Sequence, residues 1–238
     1  MAEVLVRTRD LSKVYTVGSS KVVALNRVNL TIERGTFTAV VGTSGSGKST
    51  LLNMLGGLEQ PTAGEIHVAG QPLHTYSQQQ LVTYRRDQVG FIFQTFNLLG
   101  SLTALQNVAL PLSFRGIGKR QRQERARRVL VQLGLGAHMN HKPNQLSGGQ
   151  QQRVGIARAM VAGPQLVFAD EPTGNLDSKT AEATLLLFRS VIQRFGQTWI
   201  MVTHDRHLAG FADTIVSIGD GRITDISHVN HSDQKVTS

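Results

Sequence analysis

The sequence has no cysteine among its 238 residues. Disulfides, thiolate metal sites and cysteine nucleophiles are therefore excluded, and a cytosolic setting is expected. No apolar run approaches the roughly 20 residues that span a bilayer. The opening MAEVLVRTRD mixes charges where a secretory signal would carry an apolar stretch, so no such signal is expected. Acidic residues are few: 16 Asp and Glu stand against 25 Lys and Arg, a formal net charge of +9. That imbalance predicts an anionic neighbour, whether nucleic acid, an anionic membrane face or a bound nucleotide. Part of the excess lies in KRQRQERARR (Lys119 to Arg128), where Ala126, Val129, Leu130 and Leu133 recur at helical spacing. An amphipathic helix with a solvated basic face is expected there. No aromatic interleaves with those charges to stack on bases, which argues against a nucleic-acid surface. Internal repeats and low-complexity linkers are also absent, and a hydrophobic content of 40% suits one large domain or a core with a subdomain.

What is present centres on TFTAVVGTSGSGKST, Thr36 to Thr50. Apolar, β-branched residues from Phe37 to Val41 read as a buried strand that stops at Gly42, and Lys48 to Leu55 reads as a helix. Between them Gly42, Gly47, Lys48 and Ser49 fall in the register G-x-x-x-x-G-K-S, the phosphate-cradling loop. Glycines let consecutive backbone N–H groups turn onto an anion, and the helix behind aims its positive end at the same point. Gly42, Thr43, Ser44, Gly45, Ser46, Gly47, Lys48, Ser49 and Thr50 are thus the candidate nucleotide-binding residues. Lys48 reaches the β- and γ-phosphates and Ser49 offers a hydroxyl to Mg²⁺.

Around this loop the patterns divide. Residues 4–9, Val22 to Ile32 and Gly64 to Gly70 read as short strands of a small antiparallel layer. Ser77 is placed to cap a short helix, and Val89 to Phe93 reads as a buried strand. From Thr95 to Ala162 the spacing is helical: a short helix from Thr103 ends near Pro111, the basic helix follows, and a third runs from about Gln150 to Val161. Leu166 to Ala169, Trp199 to Val202 and Thr214 to Ile218 are continuous apolar strands, with a helix from a Ser178 cap to Gly196. Continuous apolar strands with crossover helices mean a mostly parallel sheet covered on both faces. The expected fold is α/β, a P-loop NTPase core with an antiparallel β subdomain and an α-helical subdomain. Residues 1–226 form one domain, the helical part (about 95–162) is inserted in the core, and 227–238 form a polar tail.

A phosphate-binding loop needs a carboxylate at a neighbouring strand end, and Asp170 after Leu166 to Ala169 supplies one for Mg²⁺. Glu171, next along, is placed to take a proton from a water attacking the γ-phosphate. Ser147, Gly148, Gly149 and Gln150, in LSGGQ, open the following helix as a second glycine-rich anion site.

With these motifs in order over about residues 3–226, the sequence resembles the ATP-binding cassette ATPases of ABC transporters. The resemblance implies an RecA-like core, ATP and Mg²⁺ as cofactors, and ATP hydrolysis. It makes Tyr15 the adenine-stacking aromatic and Gln94 the glutamine near Mg²⁺ and the membrane partner. TGNLD, ending at Asp177, becomes the D-loop, and His204 the γ-phosphate contact, so that Lys48, Gln94, Glu171 and His204 carry catalysis. Two copies would pack head to tail, each LSGGQ closing on the other's nucleotide, and a homodimer is the simplest arrangement.

ADEPTGNLD, GGLEQPTAGEI and FQTFNLLGSLTALQNVALPL look like the macrolide-export and lipoprotein-release branch, MacB/LolD-like. That likeness implies a separate inner-membrane permease, work on the cytoplasmic face of that membrane, export of drug, peptide or lipoprotein, and room for a periplasmic adaptor. Gln106 departs from the acidic residue many relatives carry, which touches a local contact to the membrane subunit. Two alternatives share the motifs: an FtsE-like mechanotransmission ATPase, and a soluble ATPase acting on nucleic acid.

Overall fold

The computed structural model describes residues 3–230. Its first elements are β1 (Val4–Val17), β2 (Ser20–Glu33), β3 (Phe37–Val41), α1 (Lys48–Leu55), β4 (Ala63–Val68) and β5 (Gln71–Pro72). Then come α2 (Gln78–Gln88), β6 (Val89–Phe93), α3 (Ala104–Phe114), α4 (Lys119–Gln132), α5 (Gly148–Met160) and β7 (Leu166–Asp170). The chain continues through α6 (Ser178–Phe195), β8 (Thr198–Thr203), α7 (Arg206–Ala209), β9 (Thr214–Gly219) and β10 (Arg222–His228). By contacts it divides into two units: one joins the stretch up to Tyr76 to the stretch from Phe188, and the other is Ser77–Leu187.

The first unit holds an antiparallel sheet in the order β2-β1-β4-β5, and strands β10-β9-β3-β8. β3 runs parallel to both β8 and β9, and β10 is antiparallel to β9. Every residue of β3 and of β8 is buried, which is why both read as unbroken apolar runs rather than alternating ones. Trp199 on β8 packs with Phe188, ring centroids 4.6 Å apart, and Phe37 meets Phe188 edge-on at 6.3 Å. Each such buried aromatic removes a large apolar area from water.

In the second unit β6 and β7 pair in parallel, with helices α3, α4 and α5 beside them. Phe91 stacks on both Phe93 and Phe168, at 5.8 and 5.5 Å. A Cβ on Gly90 would lie 2.4 Å from the Ala159 carbonyl oxygen, so α5 sits against β6 at a distance only glycine allows. Asn107 of α3 is wholly buried and takes the Leu99 N–H at 2.8 Å while its amide donates to the carbonyls of Leu99, Leu102 and Thr103. That one side chain ties the loop after β6 to the start of α3.

Several element ends differ from the sequence reading. α3 does not stop near Pro111 but runs through it to Phe114. The proline removes one N–H, and burial of Val108, Ala109 and Leu112 on the continuing face outweighs the loss. Gln106, the departure from the family pattern, serves that helix's start: its Oε1 accepts the Thr103 N–H at 2.9 Å in a capping box. α5 begins at Gly148, earlier than expected, because Ser147 caps it. α6 is capped by Asp177 rather than Ser178, the Thr180 N–H donating to Asp177 Oδ1 at 3.0 Å. β1 extends through Tyr15, and β10 lies where the sequence pattern predicts no strand; it is largely exposed on both faces and so carries no apolar alternation. Within the expected tail Ser227 and His228 pair with β9 and the Val229 N–H donates to the Asp213 carbonyl at 2.9 Å, while 231–238 lie outside the described residues. α4 follows the amphipathic reading, with Ala126 and Leu130 buried and its arginines largely turned to solvent.

Candidate nucleotide-binding site

The loop Gly42 to Thr50 is held in shape from within. Lys48 is buried and its Nζ donates to the carbonyls of Gly42 at 2.9 Å and Thr43 at 2.7 Å, folding the ammonium back over the loop. The Gly221 N–H donates to the Ser46 carbonyl at 3.0 Å, tying the loop to the β9–β10 turn. Gly47 has φ 104 and caps α1 with no side chain, so the first-turn N–H groups of α1 meet no capping side chain. A Cβ there would stand 2.4 Å from the Ala24 carbonyl oxygen. Thr43, Ser44, Gly45 and Ser49 are exposed around that helix start. A buried ammonium, open N–H groups and a glycine cradle fit a polyphosphate.

β3 and β8 pair with Val41 opposite Thr203. Gly42 and His204 therefore leave adjacent parallel strands at the same end, although 162 residues separate them in the chain. Parallel pairing puts loops of distant sequence at one sheet edge, where α/β proteins bind ligands. Tyr15 lies beside Thr50, its hydroxyl donating to Glu59 Oε2 at 2.5 Å and the Lys13 Nζ standing 5.1 Å from its ring centroid. Burial raises the Tyr15 phenol, with Glu59 adding to the rise and Thr50 opposing it.

In the second unit the same device recurs: Phe93 is opposite Asp170, so Gln94 and Glu171 leave β6 and β7 side by side. Glu171 takes φ 45, a left-handed conformation uncommon outside glycine and frequent at functional sites. The D-loop then turns back on Gln94. A Cβ on Gly174 would lie 2.6 Å from Gln94 Nε2, and Asn175 Nδ2 donates to the Gln94 carbonyl at 3.0 Å. The spacing of TGNLD does not say which neighbour it folds onto, so the sequence alone gives Gly174 and Asn175 no place in the site.

Phe96 and Asn97, beyond Gln94, both have positive φ, and Arg158 of α5 donates to both carbonyls, to Phe96 at 2.8 Å.

The LSGGQ loop opens α5 with a full capping box: Gln150 N–H donates to Ser147 Oγ at 3.3 Å, and Ser147 N–H to Gln150 Oε1 at 2.9 Å. A Cβ on Gly149 would come within 3.1 Å of the Thr180 methyl. Ser147, Gly149, Arg153, Asn175, Asp177 and Thr180 line a hollow of about 570 Å³. Asp177 faces it already engaged: the Thr180 hydroxyl, at 2.6 Å, holds its carboxyl below the usual carboxylate range.

Asp87 and Glu59 are also held below the usual carboxylate range. Arg86 holds Asp87 low by a hydrogen bond, against some burial, with the charge of Arg115 helping. Burial pushes Glu59 up, but Tyr15, Asn53 and Lys13 outweigh it and leave it lowered. A carboxyl with a depressed folded pKa stabilises the fold above its unfolded pKa and loses that contribution as pH falls through the folded value. The melting temperature is therefore expected to hold down to about pH 5 and to fall below about pH 4. Asp87→Asn should flatten that acid limb; an unchanged limb in a pH series of thermal melts would show that Asp87 is not part of it.

Comparison with known proteins agrees with this geometry. The profile of the family described as ABC transporter matches residues 25–174. The chain is 48% identical over 223 residues to the macrolide export ATP-binding/permease protein MacB of Vibrio parahaemolyticus. That match covers 94% of this chain and 34% of the relative, so the chain spans about a third of MacB's length. It is 43% identical over 223 residues, 94% of each chain, to the lipoprotein-releasing system ATP-binding protein LolD of Chromohalobacter salexigens. The solved structure of the ATP-binding cassette MJ0796 of Methanocaldococcus jannaschii, a dimeric post-hydrolysis state bound to ADP and Pi, superposes with a TM-score of 0.86 at 42% identity. It covers 95% of this chain and 99% of that one. Fold and loops together define an ATP-binding cassette of the P-loop NTPase class. The chain belongs to the ABC transporter family, and it is similar to the ATP-binding protein LolD and to about a third of the ATP-binding/permease protein MacB.

Proposed function

We propose that the chain is a Mg²⁺-dependent ATPase that works as a head-to-tail pair and drives a separate inner-membrane permease from the cytoplasmic face. The observation that carries this reading is the doubled strand register. Val41 opposite Thr203 and Phe93 opposite Asp170 bring Gly42 beside His204 and Gln94 beside Glu171. Both pairs stand where parallel strands end, as a phosphoryl-transfer site requires.

In this reading Gly42 to Thr50 bind the phosphates through backbone N–H groups, and Lys48 follows the charge on the β- and γ-phosphates. Tyr15 stacks on adenine. Ser49 and Asp170, with Gln94, would hold Mg²⁺, which would supply charge neutralisation at the phosphate oxygens. Glu171 accepts the proton of the attacking water, and His204 contacts the γ-phosphate. Ser147, Gly148, Gly149 and Gln150, with Asp177, complete the site of the second copy, so the γ-phosphate bridges the pair until it is cleaved. The dimeric relative with ADP and Pi supports the pairing. MacB and LolD, named for macrolide export and lipoprotein release, support an export or extraction role with the permease choosing the cargo. A periplasmic adaptor belongs to the same proposal.

Because the active species is a pair, phosphate release by the purified chain in MgATP should rise more steeply than linearly with protein concentration. A strictly linear dependence would contradict the pairing, and no phosphate release at any concentration would contradict the ATPase itself.

A further inference from the structure

The LSGGQ loop rests on a histidine that no motif contains. We propose that His138 is a positioning residue for this loop: it holds the Gln150 side chain, and through it Ser147, in the shape that meets the nucleotide of a second copy. The second half of that statement rests on the head-to-tail reading above; the first half does not.

The argument follows the protons. The Ser147 N–H can only donate, and it gives its proton to Gln150 Oε1 at 2.9 Å. The other end of the Gln150 amide is then the NH₂ group, which can only donate. It faces His138 Nε2 at 3.1 Å, so Nε2 must be the acceptor and the neutral ring carries its proton on Nδ1. That Nδ1 is buried and has no hydrogen-bond partner among the described residues.

The ring sits on a fastened segment. His138 ends the 3₁₀ turn Gly136–His138. The backbone beyond it is tied to itself and to the start of α3: His141 N–H donates to the His138 carbonyl at 3.1 Å, Leu105 N–H to Met139 at 2.9 Å, and Ala104 N–H to His141 at 2.8 Å. The His141 ring packs against His138, centroids 5.3 Å apart, and limits its rotation. A fixed acceptor gives the Gln150 amide one orientation. Without it the amide is free to turn to water, Oε1 leaves the Ser147 N–H, and half of the capping box that shapes the loop is lost.

The test compares His138→Leu, which fills the space without an acceptor, with His138→Gln, whose Oε1 replaces Nε2. The first readout is amide hydrogen exchange at Ser147 in the nucleotide-free chain. Leu is expected to speed it about three- to tenfold, the size of one hydrogen bond, and Gln to restore it. The second is MgATP-driven dimerisation in a Glu171→Gln background, followed by sedimentation alongside nucleotide binding. Leu should weaken pairing about three- to tenfold with ATP affinity of the single chain unchanged, and Gln should recover most of it. If Ser147 exchanges at the parent rate in the Leu variant, or the Gln variant behaves like Leu in both readouts, the role is overturned. If the Glu171→Gln parent never pairs, the head-to-tail reading fails, and Ser147 exchange alone decides whether His138 shapes the loop.

Discussion

Replacing Glu171 by Gln is expected to lower ATP turnover by on the order of 10²- to 10⁴-fold while ATP still binds. Gln keeps the size and shape of the side chain but cannot take up a proton from water. Glu171 stands one residue past the pairing of Phe93 with Asp170, level with Gln94, and in a left-handed backbone conformation that the D-loop turn maintains. Its carbonyl accepts the Gly174 N–H at 3.0 Å, so the turn survives the substitution. The loss belongs to the chemical step and amounts to about 3–5 kcal/mol of barrier. Steady-state phosphate release with equilibrium nucleotide binding checks it. Turnover at the parent rate would remove Glu171 from the role of base.

Gly42→Ala is expected to cost about 3 kcal/mol of stability and to abolish tight nucleotide binding. Gly42 has an ordinary φ; its constraint is space. A Cβ would lie 2.2 Å from the Ile218 carbonyl oxygen and 2.6 Å from Ser46 Oγ. The first is backbone of β9, whose pairing with β3 prevents it from yielding. At roughly 2–4 °C per kcal/mol for a chain of this size, the melting temperature should drop by about 6–12 °C. Gly45→Ala is the matched comparison. It has φ 78 and nothing within 4 Å of a Cβ, so only the backbone penalty of about 1–2 kcal/mol applies. Equal melting temperatures for the two variants would contradict the close approach of loop and strand.

Much of this architecture can be read from residues alone, for identifiable reasons. β3, β7 and β8 are buried along almost their whole length and leave apolar runs, that of β3 stopping at Gly42 and that of β7 at Asp170. Local motifs carry their own geometry: Ser77 caps α2, and Gly42 and Gly47 of the P-loop stand where a side chain has no room. Where local and tertiary terms compete, the reading fails. Pro111 signals a stop, but the buried face of α3 carries the helix past it. β10 is held by pairing with β9 and by almost no burial of its own, so its sequence shows no period. Asp177 and Ser178 are both good caps, and only the Thr180 contacts distinguish them.

The candidate site divides in the same way. Motif spacing locates Lys48, Glu171 and Ser147, because each sits at the end of one strand or the start of one helix. Register does the rest: that His204 emerges beside Gly42 follows from the pairing of β3 with β8, which no spacing encodes. Gly174 and Asn175 on Gln94, Arg158 on the backbone after β6, and His138 behind Gln150 are contacts between segments distant in sequence. Chemically ordinary residues in ordinary surroundings leave no signal until the chain is folded.

The central claim is that one chain grips the triphosphate and a second chain completes the pocket. The most direct measurement is the mass of the Glu171→Gln protein by light scattering, without nucleotide and in saturating MgATP, with bound ATP counted. The account predicts a shift from the 25.9 kDa chain to a species of twice that mass holding one ATP per chain. A protein that fills with ATP and keeps the single-chain mass would contradict it.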